Sequence, residues 1–416
     1  LRCSPLLALA LALAPATRAQ SSSPLPSPAS HFGFEPGADG KLLTFEESLA
    51  YFEKLAAASD RISLERIGTT SFGRPHMLAW IGAAPLLAQK ERVLAMLRDV
   101  ADPRRLSKER EEQILAECPN LLFMSMSMHS TEVGAGVYAP QFAYELVSGE
   151  ERMTRAIREN VLVAMLPSTN PDGMTMVAEW FRRRKAAGKP NAPLPRLYQK
   201  YAGHDNNRDW FMLNLPETRN VTRQLYERIH PLVLLDMHQM GGSGPRYFVP
   251  PYADPLNPNL DPILTQALNL LGTRMAHDMT RNGCRGVVTS TTFDNWWNGG
   301  NRNVPFRHNI LGILTECASA NLGDPVQVKA KTLRGRGIGL PTYTAHDESP
   351  RPVARRHVES RRDRALQPRG RLVGAPHDGP RARGVSVAQD PARPPRHRRA
   401  AARWPARLSH RTRSRA

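Results

Sequence analysis

Five continuous apolar runs punctuate the chain: HMLAWIGA (76–83), LLFMSMSM (121–128), VLVAMLPST (161–169), PLVLLDMH (231–238) and NILGILTEC (309–317). Runs of this length without alternation are what a strand covered on both faces requires. Between them lie stretches whose apolar positions recur every three or four residues, the spacing of one helix face. They are TFEESLAYFEKLAAAS (44–59), PLLAQKERVLAMLRDVAD (85–102), SKEREEQILAE (107–117), GVYAPQFAYELVSG (136–149), PETRNVTRQLYERIH (216–230) and LDPILTQALNLLGTRMAHDMTR (260–281). Thr44 with Glu47 three residues on is a capping-box start. ISLERIGTT (62–70) and the first apolar run flank the turn SFGRP and predict a hairpin. NPDG (170–173) has the composition of a turn. Strands alternating with helices predict an α/β protein, a three-layer α/β/α sandwich around a mixed central sheet. No internal repeat is present.

The two ends break this pattern. Arg2 followed by the apolar PLLALALALAPA, then small residues ending at Ala19, reads as an export signal over 1–19, too short to span a bilayer. Residues 20–31 are Ser/Pro-rich and predict an extended linker. The periodic domain runs over 32–345. Beyond it, 346–416 is Arg, Pro, Ala, His and Ser, a composition that cannot bury a core and predicts disorder.

Charge separates along the same line. The chain of 416 residues carries a net +19, but 351–416 hold 19 Arg, no Lys and four acids. That tail therefore accounts for +15 and the first 350 residues for +4, so the domain itself gives no reason to expect a nucleic-acid partner. Basicity from Arg alone fits a GC-rich coding sequence read in a shifted frame better than an evolved nucleic-acid arm, where lysines belong. No window reaches the length of a membrane helix, and nothing fixes an oligomeric state. With Cys3 in the export segment, Cys118, Cys284 and Cys317 are too few for a disulfide framework or a thiolate metal site.

The candidate chemistry sits at the ends of apolar runs. LLFMSMSM leads into His129 and Glu132; PLVLLDMH ends in His238; Glu316 lies inside NILGILTEC. Open α/β sheets present functional groups at the carboxyl ends of their strands. Two His and one Glu leave a fourth coordination position of Zn²⁺ open, as in catalytic sites, and a further Glu could take a proton from water. His129 and Glu132 are three apart and reach the same side of one turn. A Glu in an apolar strand is costly unless paired or tuned. HDNNRDWF (204–211) groups Asp205, Asn207 and Arg208: an acid that could orient a histidine, and a guanidinium fork suited to a carboxylate. The basic run WFRRRK offers Arg182, Arg183 and Arg184 as an oxyanion cation, or simply a solvated helix face.

Taken in order, HSTE, NPDG, DNNRD, DMH and LTE resemble the zinc carboxypeptidases, the funnelin-fold metallocarboxypeptidases, from about residue 68 to about residue 321. The resemblance implies one Zn²⁺ per chain on His129, Glu132 and His238, with Asp205 behind His129. It implies Asn207 and Arg208 as holders of a substrate's terminal carboxylate, Glu316 as general base then acid, and Arg183 as the residue polarising the scissile carbonyl. The expected protein is a secreted or periplasmic peptidase acting on peptides with free carboxyl termini. A zinc amidase or endopeptidase on cell-wall peptides, an N-acyl amino acid deacylase and a non-catalytic relative are the alternatives. The sequence departs from the family at Thr131, where many members have Arg before the metal Glu. It departs again in TTFDNWWNGG, where Trp296 and Trp297 stand in place of a pocket tyrosine.

Overall fold

A computed structural model describes residues 25–189, 192–194, 196–203, 205–328, 347–351 and 358–359. All of these fall in the first of two units, Leu1–Ala375 and Pro376–Ala416. The export segment 1–19 and most of 346–416 lie outside the described residues.

The apolar runs form the expected strands. In chain order they are β1 (Ile62–Thr69), β2 (Pro75–Ile81), β3 (Asn120–Ser125), β4 (Val161–Leu166), β5 (Val233–Met240), β6 (Tyr247–Phe248), β7 (Ala253–Leu256), β8 (Val287–Val288), β9 (Asp294–Asn295) and β10 (Leu311–Ala318). Eight of them make one sheet in the order β1-β2-β4-β3-β5-β10-β6-β8, while β7 and β9 pair separately. The central strands β4, β3, β5 and β10 are parallel, and β1, β2 and β6 join antiparallel to a neighbour. The sheet is mixed, as predicted.

Alternation along each strand divides the apolar side chains between two cores. Leu121, Phe123, Leu162, Ala164, Leu234 and Trp80 face one layer of helices, packing with Val93, Leu94, Ile114 and Leu225. Met124, Val163, Met165, Ala79 and Met237 face the other, packing with Phe52, Leu55, Tyr138 and Leu146. The molecule is therefore the three-layer sandwich that the periodicity implies. No helix among the described residues is long and apolar enough to cross a membrane.

Local chemistry explains most element ends, and three expectations need correction. Thr44 accepts from the Glu47 N–H and Glu47 accepts from the Thr44 N–H, the reciprocal box expected at the start of helix 45–58. NPDG is not a free turn: Asn170 caps helix 171–186 through the Gly173 N–H at 3.0 Å, with Pro171 in its first turn. A Cβ on Gly173 would meet Ser130 Oγ at 2.2 Å and Tyr198 O at 2.7 Å, so only glycine lets the helix close against the 126–130 loop. Part of the expected linker is ordered, since Ser27 caps a short helix, Pro28–Phe32, and Tyr51 donates to Pro26 O at 2.9 Å. Likewise Glu348 O and Arg351 O accept from Thr289 N and Gly286 N, so the first residues of the expected tail pair with the body.

Candidate metal centre

The parallel register of β5 and β10 sets His238 directly opposite Glu316, both at the carboxyl end of the sheet. The third contribution comes from beyond β3. There the chain turns through Ser127, at φ 52°, and runs into the helix Val133–Ser148. The bonds Thr169 N to Met126 O and Asn170 N to Ser127 O tie this loop to the one after β4. Glu132 occupies the N-cap position of that helix, yet its side chain makes no capping bond. It turns instead toward the histidines.

The result is a tight cluster. Glu132 Oε1 lies 2.8 Å from His129 Nδ1, and Glu132 Oε2 lies 2.9 Å from His238 Nδ1. The two Nδ1 atoms are 3.2 Å apart. Among the described residues, His129, Glu132 and His238 are the group of three whose ligand atoms all lie within 4.8 Å of one another. The Gln239 N–H, donating to Glu132 Oε2 at 2.9 Å, fixes the carboxylate.

Both imidazoles present Nδ1 to the common point and turn Nε2 to an acid. Asp205 Oδ1 is 3.3 Å from His129 Nε2, and Asp236 Oδ2 is 3.1 Å from His238 Nε2. An acid behind a ligating histidine orients the ring and raises its basicity. Asp236 was not anticipated from the sequence, although an acid two residues before a histidine on one strand must share its face.

Electrostatics agree with a site built for a cation. Burial opposes ionisation of Glu132, but His238 and His129 outweigh it and hold the carboxyl at about 2. Burial also opposes the charged form of His129 and His238; their acids more than compensate, and both imidazoles are raised. Glu316 behaves oppositely. Burial, reinforced by Glu132 and only partly offset by His238 and Arg302, pushes it up to about 7. Two imidazoles with outward-held Nε2 atoms, plus one ionised carboxylate, match the donor chemistry of a Zn²⁺ site with a position left for water.

The remaining predicted residues divide. Asp205, Asn207 and Arg208 sit beside the cluster: Asn207 is buried, and its Nδ2 lies 3.4 Å from His238 Nε2. Arg208 is 59 % exposed and pairs with Asp205 Oδ2 at 3.1 Å. Its guanidinium lies 5.4 Å from the Trp297 ring, which meets Phe211 edge-on. Arg183 is not brought in. It stands on the outer face of helix 171–186, 65 % exposed, and pairs with Glu179 at 3.4 Å. Arg182 bonds Glu47 and Leu42 O, and Arg184 pairs with Asp324, so the basic run serves helix packing. Arg302, fourteen residues before Glu316, is instead the guanidinium whose charge acts on that carboxyl.

Residues 48–233 match the family described as zinc carboxypeptidase. The match contains His129, Glu132, Asp205, Asn207 and Arg208 and stops short of His238 and Glu316, which the fold supplies. Three solved structures are similar to the chain. A metallo-carboxypeptidase from Burkholderia cenocepacia is 15 % identical, covering 68 % of this chain and 63 % of its own, with a TM-score of 0.45. Carboxypeptidase A from Helicoverpa armigera is 16 % identical over 67 % and 64 %, at 0.44. A metallo-carboxypeptidase from Pseudomonas aeruginosa is 16 % identical over 68 % and 63 %, at 0.45. The chain thus spans less than two thirds of each of these structures. No curated protein sequence matches it significantly.

Proposed function

We propose, from the match of residues 48–233 to the zinc carboxypeptidase family, that the chain is a zinc-dependent metallocarboxypeptidase cleaving the last residue from peptides with a free carboxyl terminus. The observation that carries this reading is the convergence of His129, Glu132 and His238 on one point with Glu316 on the adjoining strand. The three ligand atoms would hold the zinc ion. Zinc bound there supplies Lewis acidity, making water more acidic and a carbonyl more electrophilic.

The chain's own groups do the rest. Arg208, open to solvent and steadied by Asp205, would form charge-assisted bonds to the substrate's terminal carboxylate, with the Asn207 amide beside it. This sets the scissile carbonyl toward the cluster. Glu316, ionised, would take a proton from the attacking water as the new C–O bond forms. It would then deliver that proton to the amine nitrogen as the C–N bond breaks. A pKa near neutrality suits a group that must both accept and give. Arg183 has no part in this scheme. The export reading of 1–19 belongs to the same proposal and is carried by the sequence alone.

The test is a pair of peptides differing only in whether the carboxyl terminus is free or amidated. Hydrolysis of the free form alone, releasing the terminal residue, is expected. Equal hydrolysis of both, or internal cleavage, would replace the carboxypeptidase reading with the amidase or endopeptidase one.

A further inference from the structure

We propose that Trp297 is a positioning residue for Arg208, holding its guanidinium by a π contact so that one N–H edge stays open to the substrate's terminal carboxylate. The inference deepens the carboxypeptidase reading and rests on the place that reading gives Arg208.

Arg208 is a long side chain, mostly exposed, so burial does not fix it. Its N–H groups are divided between two edges. Asp205 lies along the Nη1–Nη2 edge, with Oδ1 3.3 Å from Nη1 and Oδ2 3.1 Å from Nη2, and Asn207 O accepts from Nη1 at 3.0 Å. That leaves the Nε–Nη2 edge for paired bonds to a carboxylate. Any further restraint through an N–H would consume that edge. A π contact does not, because it draws on the charge and spares the donors. The guanidinium carbon of Arg208 lies over the Trp297 ring, 5.4 Å from its centroid.

The indole is itself held in place. Just before it, the Trp296 N–H donates to Asp294 Oδ1 at 3.0 Å, and Trp296 O accepts from Asn257 Nδ2 at 2.7 Å. The ring folds back onto Gly299, where a Cβ would lie 2.1 Å from Cη2 and 2.2 Å from Cζ2. Only glycine allows that approach. Phe211, three residues beyond Arg208, meets the indole edge-on with ring centroids 6.0 Å apart. The same two segments are laced beside the metal cluster, where the Asn301 N–H donates to Asn207 Oδ1 at 2.8 Å. Trp297 thus stays exposed while its orientation is fixed.

The experiment is Trp297→Leu, with Trp297→Phe as the variant that keeps a ring. On a free-carboxyl peptide, Trp297→Leu should raise KM roughly 2- to 5-fold at unchanged kcat, the worth of an exposed cation–π contact, and Trp297→Phe should restore part of the loss. In an Arg208→Ala background the same change should raise KM no further. Gly299→Ala, which adds only a methyl against the indole, should reproduce the loss by displacing the ring. The rise should be the same for a terminal alanine as for a terminal phenylalanine. A rise confined to phenylalanine and persisting without Arg208 would make Trp297 a direct substrate contact and overturn the inference. A second readout needs no turnover. In the substrate-free protein the Arg208 side-chain protons, identified by their loss in Arg208→Ala, should be shifted upfield by the indole ring current and move back in Trp297→Leu. Unshifted protons overturn the contact. Equal cleavage of free and amidated peptides by the parent would instead overturn the carboxypeptidase reading.

Discussion

Replacing Glu316 by Gln should move stability and turnover in opposite directions. The carboxyl is 7 % exposed, and burial is the largest influence on it. Its pKa is lifted from the ordinary 4.5 to about 7 in the metal-free fold. At about 1.36 kcal/mol per tenfold change, that displacement corresponds to about 3 kcal/mol. The sign follows from which state binds more protons. With the folded pKa above the unfolded one, the ionised carboxyl weakens the fold. The penalty is absent below about pH 4.5, grows as pH rises, and is complete above about pH 7. Gln removes it, and an amide lacking a good partner returns about 1 kcal/mol. Urea unfolding in the presence of a chelator should therefore find Glu316→Gln about 2 kcal/mol more stable than the parent at pH 8, and no more stable at pH 4. Turnover of a free-carboxyl peptide should fall by roughly 10²- to 10⁴-fold, the usual worth of a general base. Zinc should still bind one per chain, because Glu316 is outside the ligand group. A variant that gains nothing at pH 8, or gains equally at pH 4, would refute the claim that the fold holds this charge at a cost. Retained activity would remove Glu316 from the chemistry.

Arg208→Ala should raise KM for free-carboxyl peptides by roughly 10- to 100-fold, the loss of a hydrogen bond to a charged group, and leave any amidated-peptide hydrolysis alone. An equal effect on both substrates would end its assignment to the carboxylate. Arg183→Ala should leave kcat/KM within about twofold and stability within about 0.5 kcal/mol, as for an exposed side chain in an i,i+4 pair. A hundredfold loss would return Arg183 to the site. His76 is fully buried, and burial lowers its pKa from 6.5 to about 4. Its neutral form supports the fold above about pH 6.5, and about 3 kcal/mol is lost as pH falls through about 4. Relative to the parent, His76→Phe should flatten the stability profile between those limits; an unchanged acid slope would contradict it.

The strands and layers were legible because a both-faces-buried strand needs an unbroken apolar run, and each run is bounded by a polar turn or helix. The ligand types were legible for a related reason: a His or Glu inside or just after such a run has no cheap structural purpose. What stayed hidden depends on register and direction. Nothing near His238 encodes that it will stand opposite Glu316; that follows from pairing β5 with β10 in parallel, between segments 78 residues apart. The placement of Arg183 is hidden because a run of three arginines does not reveal which way each points. Only the placement of helix 171–186 sends Arg182 to Glu47, Arg184 to Asp324 and Arg183 to solvent. NPDG was read as a turn because capping residues and turn residues are the same set, chosen for the same local hydrogen bonds. The helix beyond it is what distinguishes the two.

Asp236 shows where such a reading stops for a physical reason. In PLVLLDMH the acid passes as a flaw in an apolar strand, and burial alone would make it a liability. Its place beside His238 Nε2, at 3.1 Å, appears only in the folded chain. The two acids of the site reach their histidines by different routes, Asp205 across 76 residues and Asp236 across two. Both leave Nδ1 facing the same point. Local periodicity shows which residues the fold can tolerate there. Which acid stands behind each ring is decided by the fold, and that juxtaposition exists only in the folded chain.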